Sequence, residues 1–245
     1  MIYLALIKES FTMQHRSYVD KRNQLEQYFD RTAVEAWARL TSSAPVSGIR
    51  ATVRAGRDEM RKTILAYLPL DLTGKRVLDA GCGTGLLAVD LARRGAHVIA
   101  IDISPTLVQL GRDRVPTDLA GGSIEFIAGD MLDPALGEFD YVVCMDSMIH
   151  YNRSDITKAL GLLAARTRQT IVFTFAPKTL FLAALIRVGR LFPRGDRAPF
   201  IVPVAEKKLS QLIEKGEDLG AWRIIGSKKI SRGFYKSQAM ALGRQ

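Results

Sequence analysis

A short apolar run, Val77-Leu78-Asp79-Ala80, breaks into three closely spaced glycines, Gly81-Cys82-Gly83-Thr84-Gly85. A strand that ends in such a turn and gives way to a helical stretch opens a βαβ unit, and the same alternation continues to residue 175. Short β-branched runs at Arg76 to Leu78, His97 to Ile101, Ile124 to Ala128, Phe139 to Met145 and Thr170 to Phe175 read as strands. The stretches between them, near 85 to 94, 104 to 114 and 154 to 166, carry helical spacing and fit right-handed crossovers. A further helix near 205 to 216 and two final strands, Trp222 to Ser227 and Tyr235 to Leu242, follow. The pattern predicts an α/β fold, Rossmann-like, with helices on both faces of a mostly parallel sheet.

Upstream, apolar residues recur at helical spacing from Tyr18 to about Leu68, through Leu25, Tyr28, Phe29, Val34, Trp37 and Leu40, then Val53, Met60 and Ile64. Pro45 and Gly48 divide this stretch and Pro69 closes it. We expect residues 1–70 to form a helical arm or lid and residues 71–245 a single core domain, with a segment near 178–216 capping the active site. The apolar fraction of 47% and charged fraction of 24% suit an ordinary globular chain and exclude extensive disorder.

The net charge of +10 favours anionic ligands, but the basic residues are dispersed and form no nucleic-acid tail. Only Cys82 and Cys144 occur, far apart, which argues against a disulfide framework or a zinc site and fits a reducing cytoplasm. The apolar opening, residues 1–12, lacks the basic flank and cleavage pattern of a signal and reads as neither signal nor anchor.

Open parallel sheets bind ligands at the carboxyl ends of their strands, so the turns there should carry the chemistry. A dinucleotide fingerprint requires G-x-G-x-x-G, yet here the third glycine, Gly85, falls one position early and Leu86 takes its place. Asp102 ends the second strand and is placed to accept both hydroxyls of a ribose. Asp130, after the third strand, can accept from an adenine amino group, with Met131 and Ile103 flanking the ring.

The combination Val77-Leu78-Asp79-Ala80-Gly81-Cys82-Gly83-Thr84-Gly85, Asp102 and Gly129-Asp130-Met131 resembles the class I methyltransferases dependent on S-adenosylmethionine (SAM). That resemblance implies a seven-stranded sheet whose last strand inserts antiparallel. Asp79 is placed to receive the amino group of the methionine portion and Arg54 its carboxylate. The expected cofactor set is Arg54, Asp79, Ala80, Gly81, Cys82, Gly83, Asp102, Ile103, Asp130, Met131 and Met145.

From Tyr18 onward the chain is similar to the magnesium-protoporphyrin IX O-methyltransferases of bacteriochlorophyll synthesis. The similarity is carried by Val53-Arg54-Ala55-Gly56-Arg57, Gly129-Asp130-Met131-Leu132-Asp133-Pro134-Ala135-Leu136 and Ser231-Arg232-Gly233-Phe234-Tyr235-Lys236-Ser237-Gln238. It implies methyl transfer from SAM to a porphyrin propionate, leaving S-adenosylhomocysteine (SAH), with magnesium-protoporphyrin IX as substrate and no metal site of the protein's own. It also implies hand-over from the porphyrin-binding subunit of the magnesium chelatase and a cytoplasmic location, with peripheral contact at photosynthetic membranes left open.

The resemblance places catalytic residues at Tyr28 and His150. His150 can aim the propionate by donating to its second oxygen or touch the macrocycle's magnesium, and Asp146 is the neighbour expected to orient it. Tyr28 can close over the sulfonium or bond the carboxylate. Trp37 and Phe181 can face the porphyrin plane, though their helical spacing favours the core, and Cys82 and Cys144 read as small buried residues. In the segment 178–200, Arg187, Arg190 or Arg197 can meet the second propionate, with Leu180 and Leu185 against the ring.

Two rival readings share parts of this pattern. A phenolic quinone-precursor O-methyltransferase needs a base for a hydroxyl with a pKa near ~10, a role His150 can fill. A nucleic-acid methyltransferase or binder is favoured only by the pI of about 9.8.

Overall fold

The computed structural model describes residues 21–26, 28, 30, 41, 48–178 and 201–245. Its centre is a seven-stranded sheet of order β3-β2-β1-β4-β5-β7-β6, made of β1 (Arg76–Ala80), β2 (His97–Asp102), β3 (Ser123–Ala128), β4 (Phe139–Cys144), β5 (Thr167–Phe175), β6 (Trp222–Arg232) and β7 (Tyr235–Arg244). β1 pairs in parallel with both β2 and β4, so strand order reverses between β1 and β4 and opens a crevice above their carboxyl ends. β7 runs antiparallel between β5 and β6, as the class I resemblance implied.

Each central strand sends alternate side chains into two separate cores. Leu78, Ile99, Ile101, Val142, Phe173 and Met240 join one face, covered by α4 (Arg153–Ala164) and α5 (Glu206–Lys215) through Leu160, Leu209 and Ile213. Val77, Val98, Val143, Val172 and Ala241 join the other, covered by α1 (Ile49–Leu65), α2 (Leu86–Ala92) and α3 (Pro105–Asp113). Both faces of β1, β2, β4 and most of β5 are buried, which is why these strands read as near-continuous apolar runs.

Local chemistry sets the helix starts. Ser104 caps α3 by accepting from the Leu107 amide, with Pro105 at the first helical position, and Asn152 caps α4 by accepting from Ser154 and Asp155. α1 spaces Gly56, Met60, Thr63 and Ile64 along one buried face. Met60 and Ile64 are 0% exposed and the helix lies across β6 and β7, so this last part of the expected arm is built into the sandwich. The close approach needs Gly56, since a Cβ there would stand 2.5 Å from the Tyr235 ring.

The earlier arm residues described also dock. Leu25 is 3% exposed within the α4 core face, and Asp30 accepts from Ser104 Oγ, the Thr106 amide and Thr106 Oγ1 at the start of α3. Trp37, Phe29, Phe181, Arg187, Arg190, Arg197 and residues 179–200 of the expected cap lie outside the described residues, as do residues 1–12. Among the described residues, no helix is long and apolar enough to cross a membrane.

Candidate active site

The crevice at the switch point deepens into a cavity of about 330 Å³ above β1, β2 and β4. Its floor is the glycine turn, stitched to β2 by the Gly81 and Cys82 amides donating to the Ile101 carbonyl at 2.8 and 2.9 Å. Gly81 has φ +81°, and a Cβ there would fall 2.3 Å from Ser147 Cβ, so only glycine fits. Gly83, φ +55°, has no atom within 4 Å of where a Cβ would point, which leaves the backbone open to a ligand.

Three carboxylates surround this floor. Asp102 accepts from the Gly83 amide at 2.8 Å and the Ser104 amide at 3.0 Å, and each oxygen keeps a second lone pair. Burial raises its pKa, opposed by those same amides. Asp130 accepts from the Leu132 amide at 2.9 Å and pairs with Arg22 of the arm, also at 2.9 Å. Asp79 is 1% exposed, and its Oδ2 is buried without a hydrogen-bond partner among the described residues. Burial, reinforced by the nearby Asp102 charge, pushes its pKa up to about 7. A buried carboxylate oxygen without a partner is costly, and a protonated amine delivered by a ligand is a group that would satisfy it.

A second cluster fixes the loop after β4. Asp146 holds the left-handed φ of 56°, unusual for a residue other than glycine. Its carboxylate pairs with Arg57 at 2.5 Å and accepts from Tyr235 Oη at 3.0 Å and Ser237 Oγ at 3.2 Å. Its amide donates to Thr174 Oγ1 at 2.7 Å. The partners of Asp146 thus come from α1, β5 and β7. The donors on its carboxylate are therefore Arg57, Tyr235 and Ser237, and not the neighbouring His150 it was expected to orient. His150 follows in the 3-10 turn Met148–His150, is 8% exposed and lines the cavity.

The loop under the expected adenine slot is held by Arg166, whose guanidinium donates to the carbonyls of Met131 and Asp133 and stacks near Phe139.

Residues 144–244 match the family described as magnesium-protoporphyrin IX methyltransferase C-terminus, and residues 77–169 match a general methyltransferase domain. The chain is 53% identical to the magnesium-protoporphyrin O-methyltransferase of Rhodobacter capsulatus, over 91% of this chain and 96% of that one. The chain belongs to the magnesium-protoporphyrin O-methyltransferase family. The chloroplastic magnesium protoporphyrin IX methyltransferase of Arabidopsis thaliana is 32% identical, over 87% of this chain and 68% of that one. The crystal structure of magnesium protoporphyrin IX methyltransferase from Synechocystis PCC 6803 with bound SAH superposes with a TM-score of 0.79 at 28% identity, covering 91% of this chain and 99% of that chain.

In this member of the family the cavity brings together Arg54, Asp79, Gly81, Cys82, Gly83, Asp102, Ile103, Asp130, Met131, Met145 and His150. Two expected residues fall outside its lining. Ala80 is 0% exposed, its methyl packed in the sheet core, and Tyr28 sits half-buried on the arm with its pKa raised by burial. Cys144 is buried, whereas Cys82, also expected as a small buried residue, is only half-buried and lines the cavity as its place in the expected cofactor set requires. Burial pushes both thiols up, which favours their protonated form.

Arg57, Ser147 and Leu25 also line the cavity and were not anticipated. The family-like run Val53-Arg54-Ala55-Gly56-Arg57 did contain Arg57, whose role depends on a partner 89 positions away.

Proposed function

We propose that this protein transfers the methyl group of SAM to a propionate carboxylate of magnesium-protoporphyrin IX, giving the monomethyl ester and SAH. The observation that carries the reading is the buried, partnerless Asp79 Oδ2 facing a glycine-floored cavity, in a chain that spans 96% of its R. capsulatus relative. The donor set fits a sulfonium amino-acid nucleoside: one orphaned carboxylate for an amine, Asp102 for a ribose diol, and Asp130 with Met131 and Ile103 for an adenine. When bound, SAM supplies an electrophilic methyl on sulfur, so that a carbon–oxygen bond forms as the carbon–sulfur bond breaks and the sulfonium charge is neutralised.

The residues then have little acid–base work to do. A propionate near the Glu value of ~4.3 is already ionised at neutral pH, so no side chain must remove a proton. Asp79 takes the amine and Arg54 the methionine carboxylate. His150, on its buried turn, donates to the propionate oxygen that does not react and so aims the other. Tyr28 closes from the arm, where Arg22 and Asp30 already bridge to Asp130 and α3. Leu25 and Met131 exclude water, which leaves the nucleophile less hydrated.

The reading extends to delivery. A flat, apolar, poorly soluble porphyrin favours direct hand-over from the magnesium chelatase's porphyrin-binding subunit, and the charge of +10 favours peripheral contact with anionic membrane surfaces. The arm of residues before Ile49 and the segment 178–205 are the parts we assign to lid and cap, the expected remainder to 216 being the core helix α5.

The test is methyl-labelled SAM offered with magnesium-protoporphyrin, metal-free protoporphyrin, a catechol quinone precursor or RNA. Label in a base-labile ester of magnesium-protoporphyrin is the expected result; label in the catechol or RNA alone overturns it.

A further inference from the structure

A serine at the start of a helical turn normally spends its hydroxyl on the turn's free amides. Ser104 does so in α3, as does the Asn152 side chain in α4. Ser147 occupies the same position before the turn Met148–His150, yet it makes no capping bond, and its Oγ is buried with no hydrogen-bond partner among the described residues. Such an atom loses water without a compensating hydrogen bond.

The placement of this hydroxyl is enforced from behind. Asp146, one residue earlier, is held in its left-handed conformation by Arg57, Tyr235, Ser237 and Thr174, elements drawn from three parts of the chain. In front, Ser147 Cβ occupies the space that a side chain at Gly81 would need, so the serine abuts the floor of the cavity it lines. Of the charges lining the cavity, Arg54 is the one assigned above to a ligand carboxylate. Arg57 pairs with Asp146, Arg61 with Asp58 and Asp90, and Asp79 and Asp102 are carboxylates. An anionic ligand group held by Arg54 or His150 and lying beside Gly81 has lone pairs left for a further neutral donor, and a hydroxyl supplies one without adding a buried charge.

We propose that Ser147 is a binding residue of the active site whose Oγ–H donates a hydrogen bond to a ligand carboxylate. The inference rests on the methyl-transfer reading above, in which two ligands each carry such a group: the methionine portion of the cofactor and the propionate of the acceptor. Ser147 and His150 lie on one turn, and Ser147 touches Gly81, so the hydroxyl stands at the border between the two.

The experiment uses Ser147→Ala, which keeps the Cβ against Gly81 and removes only the unpartnered oxygen. The thermal midpoint of the ligand-free variant should equal or exceed that of the wild type, because no bond is lost. The affinity for SAH, the affinity for 5′-methylthioadenosine, which lacks the amino-acid portion, and kcat/KM for magnesium-protoporphyrin at saturating SAM are then measured on both proteins. A fall of roughly tenfold or more in SAH affinity, with methylthioadenosine unaffected, assigns the cofactor's carboxylate. A similar fall in kcat/KM for the porphyrin, with SAH binding intact, assigns the propionate. Changes under about twofold in all three, or equal weakening of SAH and methylthioadenosine, or a lowered midpoint without any affinity change, overturn the proposal. Wild-type protein that neither binds SAH nor forms ester would instead overturn the underlying function.

Discussion

Replacing Asp79 with asparagine separates two effects that the buried carboxylate combines. In the ligand-free protein the pKa stands at about 7 against an ordinary 3.8, because burial and the Asp102 charge disfavour ionisation. At about 1.4 kcal/mol for each pH unit, that rise is worth about 4 kcal/mol. The sign follows from the direction of the rise. Stability attached to the neutral acid is fully present below pH 3.8 and is lost as pH rises through about 7. Asp79→Asn carries no such loss, so the variant should gain on the wild type from acid towards pH ~8, by up to about 4 kcal/mol in denaturant unfolding.

Ligand binding should run the other way. Pairing with a ligand amine needs the ionised acid, so wild-type affinity for SAH should climb about tenfold per pH unit from about 5.5 to 6.5 and level off above about 7, with close to one proton released at the acid end. The variant should bind roughly 10- to 100-fold more weakly at pH ~7.5 and show no such slope. Calorimetry in buffers of different ionisation enthalpy reads both the affinity and the proton count. A pH slope of equal size in the variant, or a variant less stable than the wild type at pH ~8, would refute the assignment of Asp79 as the amine's partner.

The network behind the cavity makes a second expectation. Asp146 and Arg57 have side chains 6% and 19% exposed, so Asp146→Ala, which removes the carboxylate of a largely buried ion pair, should cost about 3–5 kcal/mol in unfolding free energy. Tyr235→Phe, which removes only one of several donors, should cost about 1 kcal/mol by the same measurement. For the chemistry itself, His150→Ala should lower kcat by roughly 100-fold while leaving the SAH dissociation constant within about twofold; equal loss of both would mark His150 as a folding residue.

What was legible in the sequence follows the range over which each residue's reason acts. β1, β2, β4 and β5 were readable because both their faces are largely buried, β3 because its Ile124, Phe126 and Ile127 still form a short apolar run, and the turn residues Gly81, Asp102 and Asp130 because they end successive strands. β6 was read as stopping at Ser227, yet it continues to Arg232. Lys228 and Lys229 lie on the exposed sheet edge, where charge is favoured and the apolar alternation fades. Likewise β1 runs on through Asp79 and Ala80 because the backbone keeps its register with Ala100 and Ile101, whatever the polarity of the side chain.

The loop after β4 marks the opposite limit. Proximity in sequence suggested that Asp146 serves His150, four residues away, but a buried carboxylate takes the strongest donors within reach in space. Those come from Arg57, Tyr235 and Ser237, each about 90 positions distant in the chain. No local pattern encodes that choice. Once made, it fixes a left-handed residue, and the left-handed residue decides that Ser147 turns its hydroxyl inward instead of capping its own helix. The residues with the most specific task at this site are therefore the ones whose identity looks least remarkable along the sequence.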